Sequence, residues 1–150
     1  MTVETDLFRL YSTRILALAA DMPRTDRLAH PDGTARKRAP LCGSTVTVDV
    51  CVRDGVVTDY GQDVKACALG QAAASVIGAH IVGCTTDAVQ RGRDELAAML
   101  QNDGTAPAAP FEGLAVLAAA KDYKNRHASI LLAFDATLDA LSQTKATRRA

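Results

Sequence analysis

The stretch from Thr45 to Lys65 leaves the chain few folds to choose from. Val46, Val48, Val50 and Val52 alternate with Thr45, Thr47, Asp49 and Cys51, the period-two pattern of a strand with one buried face. Arg53, Asp54 and Gly55 make a tight turn, and a second strand runs from Val56 towards Lys65. Asp49 and Cys51 share the polar face of the first strand. A lone hairpin is marginal in water, so a third strand is expected, although no other segment alternates clearly enough to place it.

Cys67 falls where the second strand ends and a helix begins. From Ala68 to His80, Leu69, Ala72, Ala73, Val76, Ile77 and His80 recur at helical spacing, with small residues that permit close approach to the sheet, and Gly83 ends the helix. Upstream, Leu7, Leu10, Tyr11, Ile15, Leu18 and Met22 predict one helix over Thr5 to Met22, stopped by Pro23. Pro23 to Pro40 is polar and reads as a loop whose cluster Arg36, Lys37, Arg38 is a solvated face. Downstream, a helix begins at Thr86 or Asp87 and runs to Asn102, and a turn-rich connector follows. A short helix covers Phe111 to about Ala120. A last one covers about Arg126 to Leu141, with a stripe of His127, Ile130, Leu131, Phe134, Leu138 and Leu141, before a frayed tail. This is an α+β pattern, a small antiparallel sheet of about three strands with helices gathered on one face, in a single domain over residues 1–150.

Composition narrows the function classes. Seventeen Lys and Arg balance seventeen Asp and Glu, so no broad attraction to nucleic acid or an anionic membrane is implied. No apolar run is long enough to cross a bilayer, and the first residues lack the pattern of a signal peptide. The expected location is the cytoplasm, where Cys42, Cys51, Cys67 and Cys84 are thiols rather than disulfides.

At a helix start, free amides and the positive end of the dipole favour the Cys67 thiolate, the form that binds metal and attacks sulfur. The same field disfavours an imidazolium at His127, which opens the last helix, and a neutral imidazole is the ligating form. Cys42 lies in a loop between Pro40 and Gly43, free to turn towards either. Their spacing fits no short zinc-finger pattern, so on residues alone a buried thiol and a satisfied core histidine account for them slightly better than a metal site does. Cys51, beside Asp49, reads as a bystander, and Cys84, at a helix exit, as a half-buried thiol. Asp63 shares a strand face with Lys65 and Cys67 and is a further metal candidate.

Three quoted segments carry a resemblance: PLCGS with TVTVDVCVRDGVV, then DYGQDVKACALGQAAASV, then RHASILLAFDATLDAL. They resemble the IscU, SufU and NifU amino-terminal family of iron-sulfur cluster assembly scaffolds. That family has a Cys-Gly-Asp motif opening a strand, a Gly-Cys-small run entering a helix, and a His-Cys or Lys-Cys pair before an amphipathic helix. The resemblance implies that Cys42, Cys67 and His127 are the cluster or metal ligands. This chain departs from the motif twice: the aspartate is Ser44, which becomes a further candidate, and the third cysteine is Ala128. The Leu-Pro-Pro-Val-Lys chaperone-binding sequence is absent before His127, where the chain reads AAAKDYKNR.

The expected function is a scaffold or carrier without enzymatic activity. It would hold iron, zinc or a transient [2Fe-2S] cluster, take sulfur from a cysteine desulfurase and pass the product to acceptor proteins. A water, a partner side chain or a second subunit would complete the coordination, and a homodimer sharing Cys42 and Cys67 supplies four thiolates. Two alternatives are a degenerate relative that acts as a binding or regulatory module of the assembly complex, and a zinc-dependent sulfurtransferase. The second needs the thiol that Ala128 removes.

Overall fold

The structure is a computed structural model that describes residues 12–41 and 43–149, with side chains through 144. Cys42 and the predicted helical positions Leu7, Leu10 and Tyr11 lie outside the described residues. The first described helix, α1, spans Thr13–Ala20. Ser12 precedes it with ψ 160°, and its hydroxyl accepts the amide of Ile15. An extended Ser12 cannot lie inside a continuous helix, so the helix expected from Thr5 onward is interrupted there; a serine that caps a following turn competes with helix continuation.

Among the described residues the sheet has three antiparallel strands, β1 (Gly33–Arg38), β2 (Thr45–Arg53) and β3 (Val56–Lys65), in that order. The hairpin β2–β3 is the expected one, with positive φ at Asp54 and Gly55 in its turn. The third strand lies inside the segment read as a loop: β1 pairs Ala35 with Val48 and Arg38 with Thr45. Its three consecutive cations hid it, because Ala35 and Gly33 alone supply its buried side. Gly33 is there for a steric reason, since a Cβ would strike the main-chain carbonyl of Ala140.

Three further α-helices follow, α2 (Ala68–His80), α3 (Thr86–Asn102) and α4 (His127–Arg149). Thr85, one residue earlier than expected, caps α3 by accepting the amide of Ala88. The Phe111 to Ala120 segment is a 3-10 helix over Glu112–Ala120, and a 3-10 turn at Lys124–Arg126 leads into α4. Helix α4 lies across β1 and β2 and against α2, and α1 also packs on α2. Val46, Val48, Val50, Tyr60, Leu69, Ile77, Phe111, Phe134 and Leu141 fill the space between. Phe111 and Phe134 meet edge to face at 5.2 Å, an arrangement for which Gly92 makes room. His80, placed by its spacing on the apolar stripe of α2, is exposed at the last turn.

The outer face of the sheet is only partly open. Asp49, expected on a polar face, is fully buried. The connection between α1 and β1 crosses over it: Arg27 donates to its carboxylate at 2.6 and 3.1 Å, the Leu28 amide at 3.1 Å and the Thr34 hydroxyl at 2.6 Å. Gly61 allows that crossing, since a Cβ would meet the carbonyl of Asp26. Burial by itself raises the pKa of Asp49, but the guanidinium, hydroxyl and amide bonds outweigh it and hold the carboxyl below its ordinary value.

Candidate metal centre

Cys67 is the residue before the first turn of α2, with extended backbone angles of φ −66° and ψ 169°. Only Ala66 separates it from β3, so its Cα is fixed by a strand on one side and a helix on the other. Its thiol is half-buried, which alone would raise its pKa. The amides of Gly70 and Leu69, the Ser129 hydroxyl and the Arg126 guanidinium more than offset that, and the thiol titrates below its ordinary value. The expectation of a thiolate-favouring helix start is met.

The surroundings of Cys67 come from the far end of the chain. Ser129, in the first turn of α4, lies 3.6 Å from Cys67 Sγ and 3.0 Å from Ser44 Oγ, linking α2, α4 and the segment before β2. Gly70 permits this meeting: a Cβ there would come within 2.7 Å of Ser129 Oγ. Ser44 is also held through its main chain, its carbonyl accepting the Ala39 amide at 2.8 Å. Gly43, Ser44, Lys65, Cys67, Gln71 and Arg126 line one cavity of about 520 Å³. Cys42 precedes Gly43 in sequence and is itself outside the described residues.

His127 is buried and faces elsewhere. Its Nε2 sits 3.1 Å from the carbonyl of Ala120 and 2.9 Å from that of Lys121. Two acceptors require a proton on Nε2, so in the neutral ring only Nδ1 keeps a lone pair for a metal. His127 lines a second cavity, of about 550 Å³, with Arg93, Lys124, Ala128 and Asp135. Ala128, the vacated cysteine position, is exposed between that cavity and a third one beside Lys37 and Asp139. Asp63 lines a fourth, of about 270 Å³, on the outer sheet face. Thus Cys67 and Ser44 share a site, while His127 and Asp63 open onto others. Among the described residues, no three His, Cys, Asp or Glu side chains are grouped to hold one metal ion.

Sequence reasoning missed Ser129, Arg126 and Gln71 as neighbours of Cys67. Ser129 had one available signal, its place two residues after His127 at the mouth of an amphipathic helix. Cys51 and Cys84 stand apart from the site: Cys51 donates towards the His30 carbonyl at 3.5 Å, and Cys84 is buried, with its pKa raised by that burial.

No protein-family model and no curated protein matches the chain. Solved structures do. A NifU-like protein (N-terminal) from Brucella abortus is 45% identical, with a TM-score of 0.91 over 94% of this chain and 98% of that one. A putative iron-sulfur cluster assembly scaffold protein for the SUF system from Fervidobacterium islandicum AW-1 shares the fold at 18% identity, with a TM-score of 0.81 over 89% of this chain and 98% of that one. A hypothetical protein is similar in fold at 17% identity, with a TM-score of 0.75 over 90% and 98%. With the expected α+β fold in place and near half of the residues shared along almost the whole of both chains, the chain belongs to the NifU-like amino-terminal family, within the IscU, SufU and NifU group.

Proposed function

We propose that the protein is an iron-sulfur cluster assembly scaffold or carrier whose fixed thiolate is Cys67. The observation that carries this reading is the setting of that thiol: it opens onto a cavity of about 520 Å³, and helix amides, Ser129 and Arg126 favour its ionised form. The relatives named for NifU and for cluster assembly support the same role. In this reading the cluster is cargo. Cys42 and Cys67 hold it, and two copies of the chain supply four thiolates to one [2Fe-2S] unit; His127, whose ring opens onto the neighbouring cavity, contributes through Nδ1 only once that ring is turned towards the thiolates. A single zinc or ferrous ion is the smaller cargo the same donors suit. Ser44 lines the same cavity and completes the candidate donors there, whereas Asp63, a candidate from the sequence, opens onto the outer sheet face.

Sulfur reaches the site as the outer atom of a persulfide on a cysteine desulfurase. The Cys67 thiolate attacks that atom; the donor's S–S bond breaks, a new one forms at Cys67 Sγ, and the donor leaves as a thiolate, with no net redox change. Acceptor proteins then take the finished cluster, in the cytoplasm. Anaerobic reconstitution with iron and sulfide is the test. Wild-type protein should bind a cluster with visible absorption, and a Cys42→Ala, Cys67→Ala variant should bind none; equal loading of the two sinks the reading.

A further inference from the structure

The outer sheet face carries a charge pattern that the cluster site does not use. Arg36 pairs in register with Thr47, and Thr47 with Asp63; one rung along, Arg38 pairs with Thr45, and Thr45 with Lys65. Arg36, Arg38 and Lys65 are exposed, and none is ion-paired with a described acidic residue. Lys65 lines two cavities, the outer one with Arg36 and Asp63, and the Cys67 cavity with Arg126. The basic strip therefore runs from the sheet face to the mouth of the Cys67 cavity, four cations against the one carboxylate of Asp63, while Arg27 in the outer cavity is matched by the buried Asp49. The chain as a whole has seventeen of each sign.

Resting on the scaffold reading above, we infer that this strip is the docking surface for an acidic face of the protein that delivers sulfur to Cys67. A compact anion suits it poorly, because the cations are spread over β1, β3 and the turn before α4, and Asp63 stands among them. An extended acidic surface meets each cation separately, and one seated there has its reactive group beside Cys67. Strands lie about 4.8 Å apart, so Arg38 and Lys65, two strands apart, present charge across roughly 10 Å. That is the scale of a protein contact.

The test is association of the full chain with the cysteine desulfurase of the same organism, measured at several salt concentrations. An Arg36→Gln, Arg38→Gln, Lys65→Gln variant should associate at least tenfold more slowly at low salt and lose most of the salt dependence. An Arg14→Gln, Arg91→Gln, Lys121→Gln variant, with the same change in charge, should match wild type. Equal rates and salt slopes for all three proteins overturn the inference, as does absence of wild-type binding. Inorganic phosphate that binds the strip without competing with the desulfurase also overturns it, because the strip is then a small-anion site. Reconstitution with free iron and sulfide of an Arg36→Gln, Arg38→Gln variant, which leaves the lining of the Cys67 cavity intact, separates the two readings. Normal loading with slow docking supports both, whereas failure of wild-type loading strikes the scaffold reading alone.

Discussion

Ser44 and Ser129 are 85 residues apart in sequence and meet hydroxyl to hydroxyl at 3.0 Å in the protein interior. The bond ties the approach to β2 to the first turn of α4, and the same Ser129 hydroxyl faces Cys67. Ser129→Ala should cost about 1 kcal/mol of unfolding free energy, the usual net value of a buried hydrogen bond. Urea denaturation measures that cost.

The same substitution removes one of the groups that lower the Cys67 pKa. At neutral pH the thiolate fraction should fall, and iodoacetamide should alkylate Cys67 more slowly in Ser129→Ala than in wild type. Arg126→Gln should act in the same direction. Alkylation rates against pH, with Cys42, Cys51 and Cys84 replaced by alanine, check both; a rate profile unchanged in either variant contradicts the assigned partners.

Asp49 predicts an acid limb of stability. Its folded-state pKa is depressed, so its contribution is present above the unfolded value of about 3.9 and disappears as pH falls through the folded value. Asp49→Asn should lower stability at pH 7 by about 2 kcal/mol, in the range for hydrogen bonds to a charged group. The variant should also show a shallower decline below about pH 4. Thermal unfolding from pH 2 to pH 7 measures both effects.

Gly33→Ala should be among the more damaging single substitutions in the sheet. The new Cβ collides with the main chain of Ala140, which cannot move without shifting α4 off β1, and overpacking of this kind costs about 1–3 kcal/mol. Gly113→Ala, whose Cβ meets Val76 at an ordinary 3.4 Å, should be nearly neutral. Denaturant midpoints for the two variants provide the comparison.

What the sequence reveals, and what it conceals, divides along the range of the interactions. The β2–β3 hairpin and the Cys67 junction are written in local alternation and spacing, and they stand as expected. Strand β1 is an edge strand whose buried side is met by two small residues, so its pattern resembles that of a charged loop. Asp49 looks like a surface residue because the segment that buries it, Arg24 to Leu28, has no period of its own. Ser129 is one of several hydroxyls along α4, with Thr137, Ser142 and Thr144, and nothing in their spacing marks it as the one whose partners come from far along the chain. His127 carries a histidine's ambiguity: sequence places it at a helix start, and only the carbonyls of Ala120 and Lys121 decide which ring nitrogen is left.

The buried carboxylate of Asp49 also sets how the outer sheet face comes apart. It holds the Leu28 amide from the crossing segment and the Thr34 hydroxyl from the edge strand, while the carbonyl of Arg24, in that same segment, accepts the Gln62 amide of β3. Lifting the segment breaks the bonds of the Leu28 and Gln62 amides together and leaves the Thr34 hydroxyl on Asp49. The amides of Leu28 and Gln62 should therefore exchange with deuterium as a pair, at one common opening free energy below that of the helical core, so that residues 24–28 behave as a single flap hinged on one side chain.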